Sequence, residues 1–137
     1  MNEDTTCQDS NLKMTDECSI YRAARSAAWI NLEERKLYPA AYKLRPAETS
    51  LSVCPSDSCT AAEYSAEDIC HLRKVFGVAI HRVADTHALG LVVRQDEQFH
   101  AGICGLPLAN DEIEQQYVFE AELARQSNLV WERPKQA

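Results

Sequence analysis

The stretch "VAIHRVADTHALGLVVRQDEQFHAGICGLP", residues 78–107, decides the fold because it contains three apolar segments separated by short polar loops. The segments are VAIHRV, LGLVVR and FHAGIC, and the loops between them are ADTHA and QDEQ. Apolar segments joined by loops this short are typical of neighbouring antiparallel strands. We therefore predict a three-stranded meander. Because LGLVVR is apolar at most positions, we expect it to lie centrally in the sheet with both faces covered.

The last segment also raises the question of a catalytic loop, since FHAGICGLP, residues 99–107, holds a histidine and a cysteine. On a strand, His100 and Cys104 would lie about 13 Å apart, at roughly 3.3 Å per residue. A nucleophile and its base must lie within hydrogen-bond distance, so this pair does not qualify. Gly105 and Pro107 are typical of a strand end and a turn. We interpret the stretch as strand and turn.

Outside this stretch, three segments show helical patterns and two show strand patterns. The alanine-rich segment 19–38 predicts a helix that ends at Pro39, and segment 66–76 predicts a second helix capped by Ser65. A third helix should follow Asn110, with acidic residues in its first turn and Arg125 later. Alternation at 40–45 and 50–54 predicts two strands that turn around Pro46. The expected fold is α+β, with about five mostly antiparallel strands and three helices in a single layer on the sheet.

The first 18 residues carry five acidic side chains against one lysine and show no apolar period. This composition predicts a flexible acidic tail over residues 1–18, followed by a single α+β domain over 19–137. The segment has neither the basic nor the apolar region of an export signal, and no apolar run is long enough to span a bilayer. We therefore expect a cytoplasmic protein that does not associate with membranes.

The six cysteines should be reduced in that compartment. Cys54 and Cys59 flank a polar loop and would be the pair most easily oxidised. A zinc site built from Cys54, Cys59, Cys70 and His71 does not fit, because adjacent side chains on a helix point about 100° apart and the spacing matches no zinc motif. We expect no metal and no cofactor.

Composition and charge restrict the class of partner. A chain of 137 residues with 45% hydrophobic and 26% charged residues is typical of one globular domain. Its net charge of −7 and the lack of a concentrated basic region argue against direct nucleic-acid binding. We expect the partner to be another protein, for which a basic surface would suit the acidic tail.

The common enzyme motifs are absent from the sequence: there is no G-x-S-x-G, P-loop, G-x-G-x-x-G or H-E-x-x-H. If the chain is an enzyme, the candidate catalytic residues are Arg45, Glu48, His81 and His100. The core is predicted to bring together five apolar residues from the sheet and the last helix, namely Leu91, Val93, Phe99, Ile103 and Tyr117.

Two resemblances can be stated. Arg45, then TSLS at 49–52, then Glu112-Ile113-Glu114 resembles the order Arg, Ser-Thr-Ser, Glu-x-Glu of arginine-type ADP-ribosyltransferases. That resemblance implies that the arginine and serine hold a nicotinamide cofactor and that the last glutamate activates the nucleophile. The stretches RPAETSLSV (45–53) and HAGICGLP (100–107) are together similar to a pattern, R-x-x-E-x-x-L-S-V with H-A-x-I-x-G-L-P, in a family of small uncharacterised bacterial proteins near toxin or defence genes. This second resemblance implies a regulatory or accessory component, and no catalytic residue can be assigned from it.

These observations predict a non-enzymatic protein-binding accessory, inhibitor or regulatory subunit of a bacterial defence or toxin system. The alternative is a small enzyme with an unrecognised site, for example one similar to ADP-ribosyltransferases. A deep pocket that holds two of the four candidate residues would favour the enzyme. A flat exposed apolar patch would favour the binding protein.

Overall fold

A computed structural model describes residues 5–56, 66, 74–97, 99–108 and 113–134 of the chain. Its strands and helices, in chain order, are β1 (Leu12–Lys13), β2 (Ser19–Ala24), β3 (Ile30–Asn31), β4 (Lys36–Leu37), β5 (Leu51–Pro55), β6 (Gly77–Arg82), α1 (Val83–Ala88), β7 (Val92–Glu97), β8 (His100–Cys104), α2 (Ile113–Gln126) and β9 (Asn128–Glu132). Short 3-10 turns cover Ala27–Trp29 and Pro39–Tyr42.

Seven of these strands form one sheet in the order β1-β7-β8-β5-β2-β6-β9, and β3 pairs with β4 in a separate hairpin. Every described pairing is antiparallel. The predicted α+β class with a mostly antiparallel sheet is therefore confirmed. Within the described residues the sheet is larger and the helices are fewer than predicted. No helix in this part of the chain has the length and apolar character needed to cross a membrane.

The predicted meander is half right. β7 and β8 form the expected hairpin, but β6 pairs with β2 and β9 on the other side of the sheet. Segment 84–88, which was predicted to be a polar loop, forms most of helix α1. This helix connects β6 on one side of the sheet to β7 on the other. β7 is not central, since it lies next to the short edge strand β1, and Val93 is its only buried residue. Leu91, which directly precedes the strand, is buried in the same core cluster as Val93.

The predicted first helix is wrong. Segment 19–38 forms β2, a 3-10 turn and the β3–β4 hairpin. Ile20 and Ala24 belong to the main core cluster, whereas Ala23 belongs to a second, smaller cluster against which Tyr21 packs. Side chains that alternate between two sides in this way are typical of a strand. Six residue pairs with β6 outweigh the helix propensity of the alanines.

Other predicted elements had mixed outcomes. The strand expected at 40–45 is replaced by the 3-10 turn that begins at Pro39, a residue whose fixed backbone angle suits a first helical position. The strand at 50–54 and the last helix are confirmed as β5 and α2. Residues 67–73 of the predicted middle helix lie outside the described residues, as do its cap Ser65 and the predicted cap Asn110, while Ala66 is helical and Lys74–Phe76 are not. β9 was not predicted.

Residues 5–18 are packed on the sheet and do not form the flexible tail that the sequence predicted. β1 pairs with β7, and the side chains of Thr6 and Met14 are buried. A disulfide joins Cys7 to Cys104, 97 positions away along the chain. These contacts involve single residues that show no periodic apolar pattern, so the composition of the segment did not predict them.

The expectation of six reduced cysteines is also wrong. Besides the pair Cys7–Cys104, Cys18 is also disulfide-bonded. Cys54 is buried and not disulfide-bonded, and its thiol donates to the carbonyl of Phe99 at 3.3 Å, so the pairing suggested for Cys54 and Cys59 does not form. Cys59, Cys70 and His71 lie outside the described residues.

The main core cluster lies between the sheet and helix α2. Leu91, Val93 and Ile103 are buried there, as predicted. The prediction that Phe99 and Tyr117 are buried is wrong, because their relative exposures are 36% and 64%. Phe99 lies at the turn between β7 and β8, and helix α2 buries Leu123 and Ala124 against the core, not Tyr117.

Candidate functional site

The sheet separates in its middle, between β2 and β5. Their described ladder has two residue pairs, Ile20 with Pro55 and Tyr21 with Cys54. Arg22 comes next on β2, and its Nη1 donates to the carbonyl of Ser52 at 2.8 Å. Its Nε and Nη2 donate to the carbonyl of Ala41 at 2.9 and 2.7 Å. The guanidinium therefore connects β2, β5 and the second 3-10 turn where the strands separate.

Arg22 is half-buried, and among the described residues its hydrogen bonds go to carbonyls, while Glu48 attracts it only through space. Burial lowers the pKa of Arg22 to about 10, so the side chain still carries its charge at neutral pH. Its Cζ atom lies 5.7 Å from the centre of the Trp29 ring. Three of its five N–H groups are used in the bonds to Ala41 and Ser52, which leaves two for another acceptor.

A pocket of about 240 Å³ opens beside this guanidinium. Its wall carries four basic side chains and a single acidic one, in a chain whose net charge is −7. Such a concentration of one sign of charge in a concave site attracts ligands of the opposite sign. The lining residues are Arg22, Arg25, Trp29, Ala40, Lys43, Leu44, Arg45, Pro46, Glu48 and Ser52.

Two of the four candidate residues from the sequence meet in this pocket. The backbone N–H of Arg45 donates to Oε1 of Glu48 at 2.6 Å, and Nε of Arg45 lies 3.9 Å from the same oxygen. Ala47 between them has a φ of 73°, so the chain turns sharply here. This turn is the one expected around Pro46, and it brings a cation and a carboxylate to one wall of the pocket.

The third candidate, His100, reaches the pocket through Ser52. Nε2 of His100 lies 3.2 Å from Oγ of Ser52, and Nδ1 lies 2.7 Å from Oδ1 of Asp96. His100 begins β8, the strand that pairs with β5 on the side away from β2. The imidazole therefore lies beside a residue that lines the pocket.

The fourth candidate, His81, belongs to the core and lies apart from the pocket. It is 1% exposed, and its Nε2 lies 2.5 Å from the hydroxyl oxygen of Tyr42. Burial lowers the pKa of His81 to about 3 and raises that of Tyr42. His81 is therefore neutral at pH 7, and its contact with Tyr42 is part of the packing of the core.

The sequence pattern does not single out Arg22, Arg25, Lys43 or Asp96, and it indicates Ser52 only through the resemblance to ADP-ribosyltransferases. Arg22 and Arg25 fell on a segment that was expected to be helical. The alternation of SIYRAA, residues 19–24, is the signal that places Arg22 on a strand. The contact between His100 and Ser52 spans 48 positions, so no local pattern shows it.

The order that resembles ADP-ribosyltransferases is only partly reproduced in space. Ser52 lies on β5, next to an arginine of the neighbouring strand, but that arginine is Arg22 and not Arg45. Glu112 lies outside the described residues, and Glu114 belongs to α2 and does not line the pocket. No protein-family model, curated protein sequence or solved structure matches the chain.

Proposed function

We propose that the chain is a small enzyme that binds a phosphorylated small molecule in the basic pocket. The observation that carries this proposal is Arg22, a half-buried guanidinium at the pocket wall that forms no ion pair with a carboxylate among the described residues. Burial weakens the solvation of this charge, and an anionic ligand group would compensate for the loss. Phosphate fits best, because two free N–H groups of a guanidinium match its oxygens.

The size of the pocket narrows the ligand further. At about 240 Å³ it lies just below the range of roughly 300–1,000 Å³ that is usual for ligand pockets. It suits one phosphate with a sugar or a single ring and is too small for a polymer. Trp29 at the wall is an aromatic side chain that a planar ring of the ligand could contact. A nucleotide-like ligand combines both groups.

The presence of Arg45 and Glu48 in one pocket supports an enzyme over a purely binding protein. Glu48 is the single carboxylate on a wall of four cations, a position from which it can accept a proton from a bound ligand. Arg45 stays close to it through the hydrogen bond of its own backbone.

A more specific version is a transferase similar to the arginine-type ADP-ribosyltransferases. It is supported by the arginine and serine on neighbouring strands, with Arg22 in the role that the sequence assigned to Arg45. Glu114 does not supply the expected carboxylate. Glu48 would have to take its place, and a nicotinamide ring would stack on Trp29.

The protein-binding role stays a prediction with its own structural support. An apolar pocket of about 420 Å³ is lined by Ala27, Ile30, Leu32, Phe76, Glu132, Arg133 and Pro134. A partner of a defence or toxin system would use an apolar face of this kind. The cytoplasmic location also stays a prediction, and the disulfides favour an oxidising compartment in its place.

Calorimetric titration with inorganic phosphate, pyrophosphate and AMP tests the phosphate proposal. Arg45→Gln and Lys43→Gln should each weaken binding about tenfold or more, since a charge-assisted hydrogen bond contributes roughly 1.5–3 kcal/mol. The matched controls Arg82→Gln and Lys13→Gln remove the same charges outside the pocket and should change binding less than about twofold. Equal losses in the pocket and control variants, or no binding of any probe at millimolar concentration, would contradict the proposal.

A further inference from the structure

Three side chains from three strands form a hydrogen-bonded chain that ends at the basic pocket. Oγ of Ser52 lies 3.2 Å from Nε2 of His100, and Nδ1 of His100 lies 2.7 Å from Oδ1 of Asp96. The other carboxylate oxygen of Asp96 accepts a hydrogen bond from the Thr6 hydroxyl at 3.0 Å. Ser52 lines the pocket, so the hydroxyl end of the chain is the end nearest a bound ligand.

The strands fix this order of side chains. Ser52 on β5 is paired with Gly102 on β8, and His100 lies two residues before that glycine on the same face of β8. An irregularity in β7 leaves Asp96 as an extra residue between Gln95 and Glu97. Such bulges re-aim a side chain, and here the carboxylate contacts His100. The arrangement is held by backbone pairing and does not depend on one mobile loop.

An ionised Asp96 can only accept a hydrogen bond, so Nδ1 of His100 is the donor in that pair. When Nδ1 carries the proton and donates it to Asp96, Nε2 is free to accept the proton of Ser52. This is the tautomer needed to activate a serine nucleophile, with the carboxylate holding the ring in place. Asp96 is 19% exposed and His100 28%, so the pair is sheltered while its hydroxyl end meets the pocket.

We propose that Ser52 is a nucleophile, that His100 is its general base and that Asp96 is a positioning residue. The substrate class is a carboxylic ester that carries a phosphate group, and this choice of substrate rests on the phosphate-binding function proposed above. The cations of the pocket would bind the phosphate and bring the ester carbon to Ser52.

The reaction would run in two balanced steps. Oγ of Ser52 bonds to the carbonyl carbon while its proton passes to Nε2 of His100, and the alcohol leaves with that proton. A water molecule then attacks the acyl-serine and gives a proton to His100. The acid leaves, and the proton returns to Ser52. Water is the sole co-reactant, and nothing is oxidised or reduced.

A fluorophosphonate probe tests the nucleophile directly in the full chain. Its phosphorus bonds to Oγ of Ser52, fluoride leaves, and the proton passes to His100. Mass spectrometry should find one label per chain, on the peptide that contains Ser52, and none in Ser52→Ala. His100→Gln and Asp96→Asn should slow labelling by at least about 100-fold. Asp96→Asn should still reach one label at long times, which a merely disordered site would not.

A second histidine–carboxylate pair supplies the matched control. Nδ1 of His87 lies 2.7 Å from Oδ1 of Asp16, the same distance as in the proposed site, but its Nε2 accepts from the backbone of Val93 and no serine is involved. Asp16→Asn should therefore leave the labelling rate unchanged. Circular dichroism of each variant checks the fold.

The outcomes separate the two proposals. No label, a label on another residue, or a rate that His100→Gln does not change overturns the nucleophile, even if the calorimetric titration shows that phosphate binds. A label on Ser52 that depends on His100 supports the nucleophile, even if phosphate fails to bind. In that case only the phosphate-binding function is overturned, together with the substrate class that rests on it.

Discussion

Lowering the pH should destabilise the fold through His81. The imidazole is packed against Tyr42, and burial lowers its pKa to about 3, against about 6.5 for an unfolded chain. Below pH 6.5 the unfolded state binds a proton that the folded state does not take up until about pH 3. The contribution of neutral His81 to stability is therefore complete above pH 6.5 and is lost as the pH falls from there towards 3.

The size of the loss follows from the same difference. Each pH unit between the two pKa values changes the free energy of unfolding by about 1.4 kcal/mol, so the loss at pH 5 is about 2 kcal/mol. Urea unfolding at pH 7 and pH 5 measures it in the wild type and in His81→Gln, whose amide oxygen can accept from Tyr42 but does not titrate. Carboxylates titrate alike in both proteins, so the difference between them isolates His81. Equal changes in stability for the two proteins would refute the reasoning.

Three further predictions concern stability. Ile103→Ala should cost about 2–5 kcal/mol in urea unfolding, because the side chain is fully buried, and a loss below about half a kcal/mol would contradict its place in the core. Gly102→Ala should cost about 1–3 kcal/mol and lower the Tm, since its Cβ would lie 2.6 Å from Cγ2 of Thr6; an unchanged Tm would argue against that contact. Replacing Cys7 and Cys104 by serine should cost about 4–5 kcal/mol, because this disulfide joins residues 97 positions apart and closes a long loop. A count of free thiols in the denatured wild type checks the bond, and six would mean that it is absent.

The parts of the fold that the sequence predicts are those with a strong local pattern. β5 and the β7–β8 hairpin each show an apolar pattern within one segment, and α2 shows an acidic first turn and a basic last turn; all three are confirmed. β2 was assigned to a helix because its alanines favour one, whereas its strand geometry comes from pairing with β6, more than fifty positions later. The helix or strand propensity of a segment does not reveal a partner strand so far away along the chain.

The candidate site follows the same rule. Arg45 and Glu48 are three positions apart, and their closeness follows from one turn around Pro46. Arg22 and Ser52 meet only because two strands separate beside them, and Asp96 reaches His100 only because β7 carries an irregularity. Strand order and register are properties of the whole sheet, so residues that depend on them could not be identified from spacing.

The two-pair ladder between β2 and β5 has a mechanical consequence. It is a seam that joins a half-sheet of four strands to one of three, with few backbone hydrogen bonds across it. Backbone groups beside so short a ladder should exchange their amide hydrogens sooner than those within the six-pair ladder of β2 and β6. A phosphate held by Arg22 on one half and by Lys43 or Arg45 on the connection to the other would act as a cross-link over this seam. Ligand binding would then be visible as slower hydrogen exchange along β2 and β5, far beyond the few residues that touch the ligand.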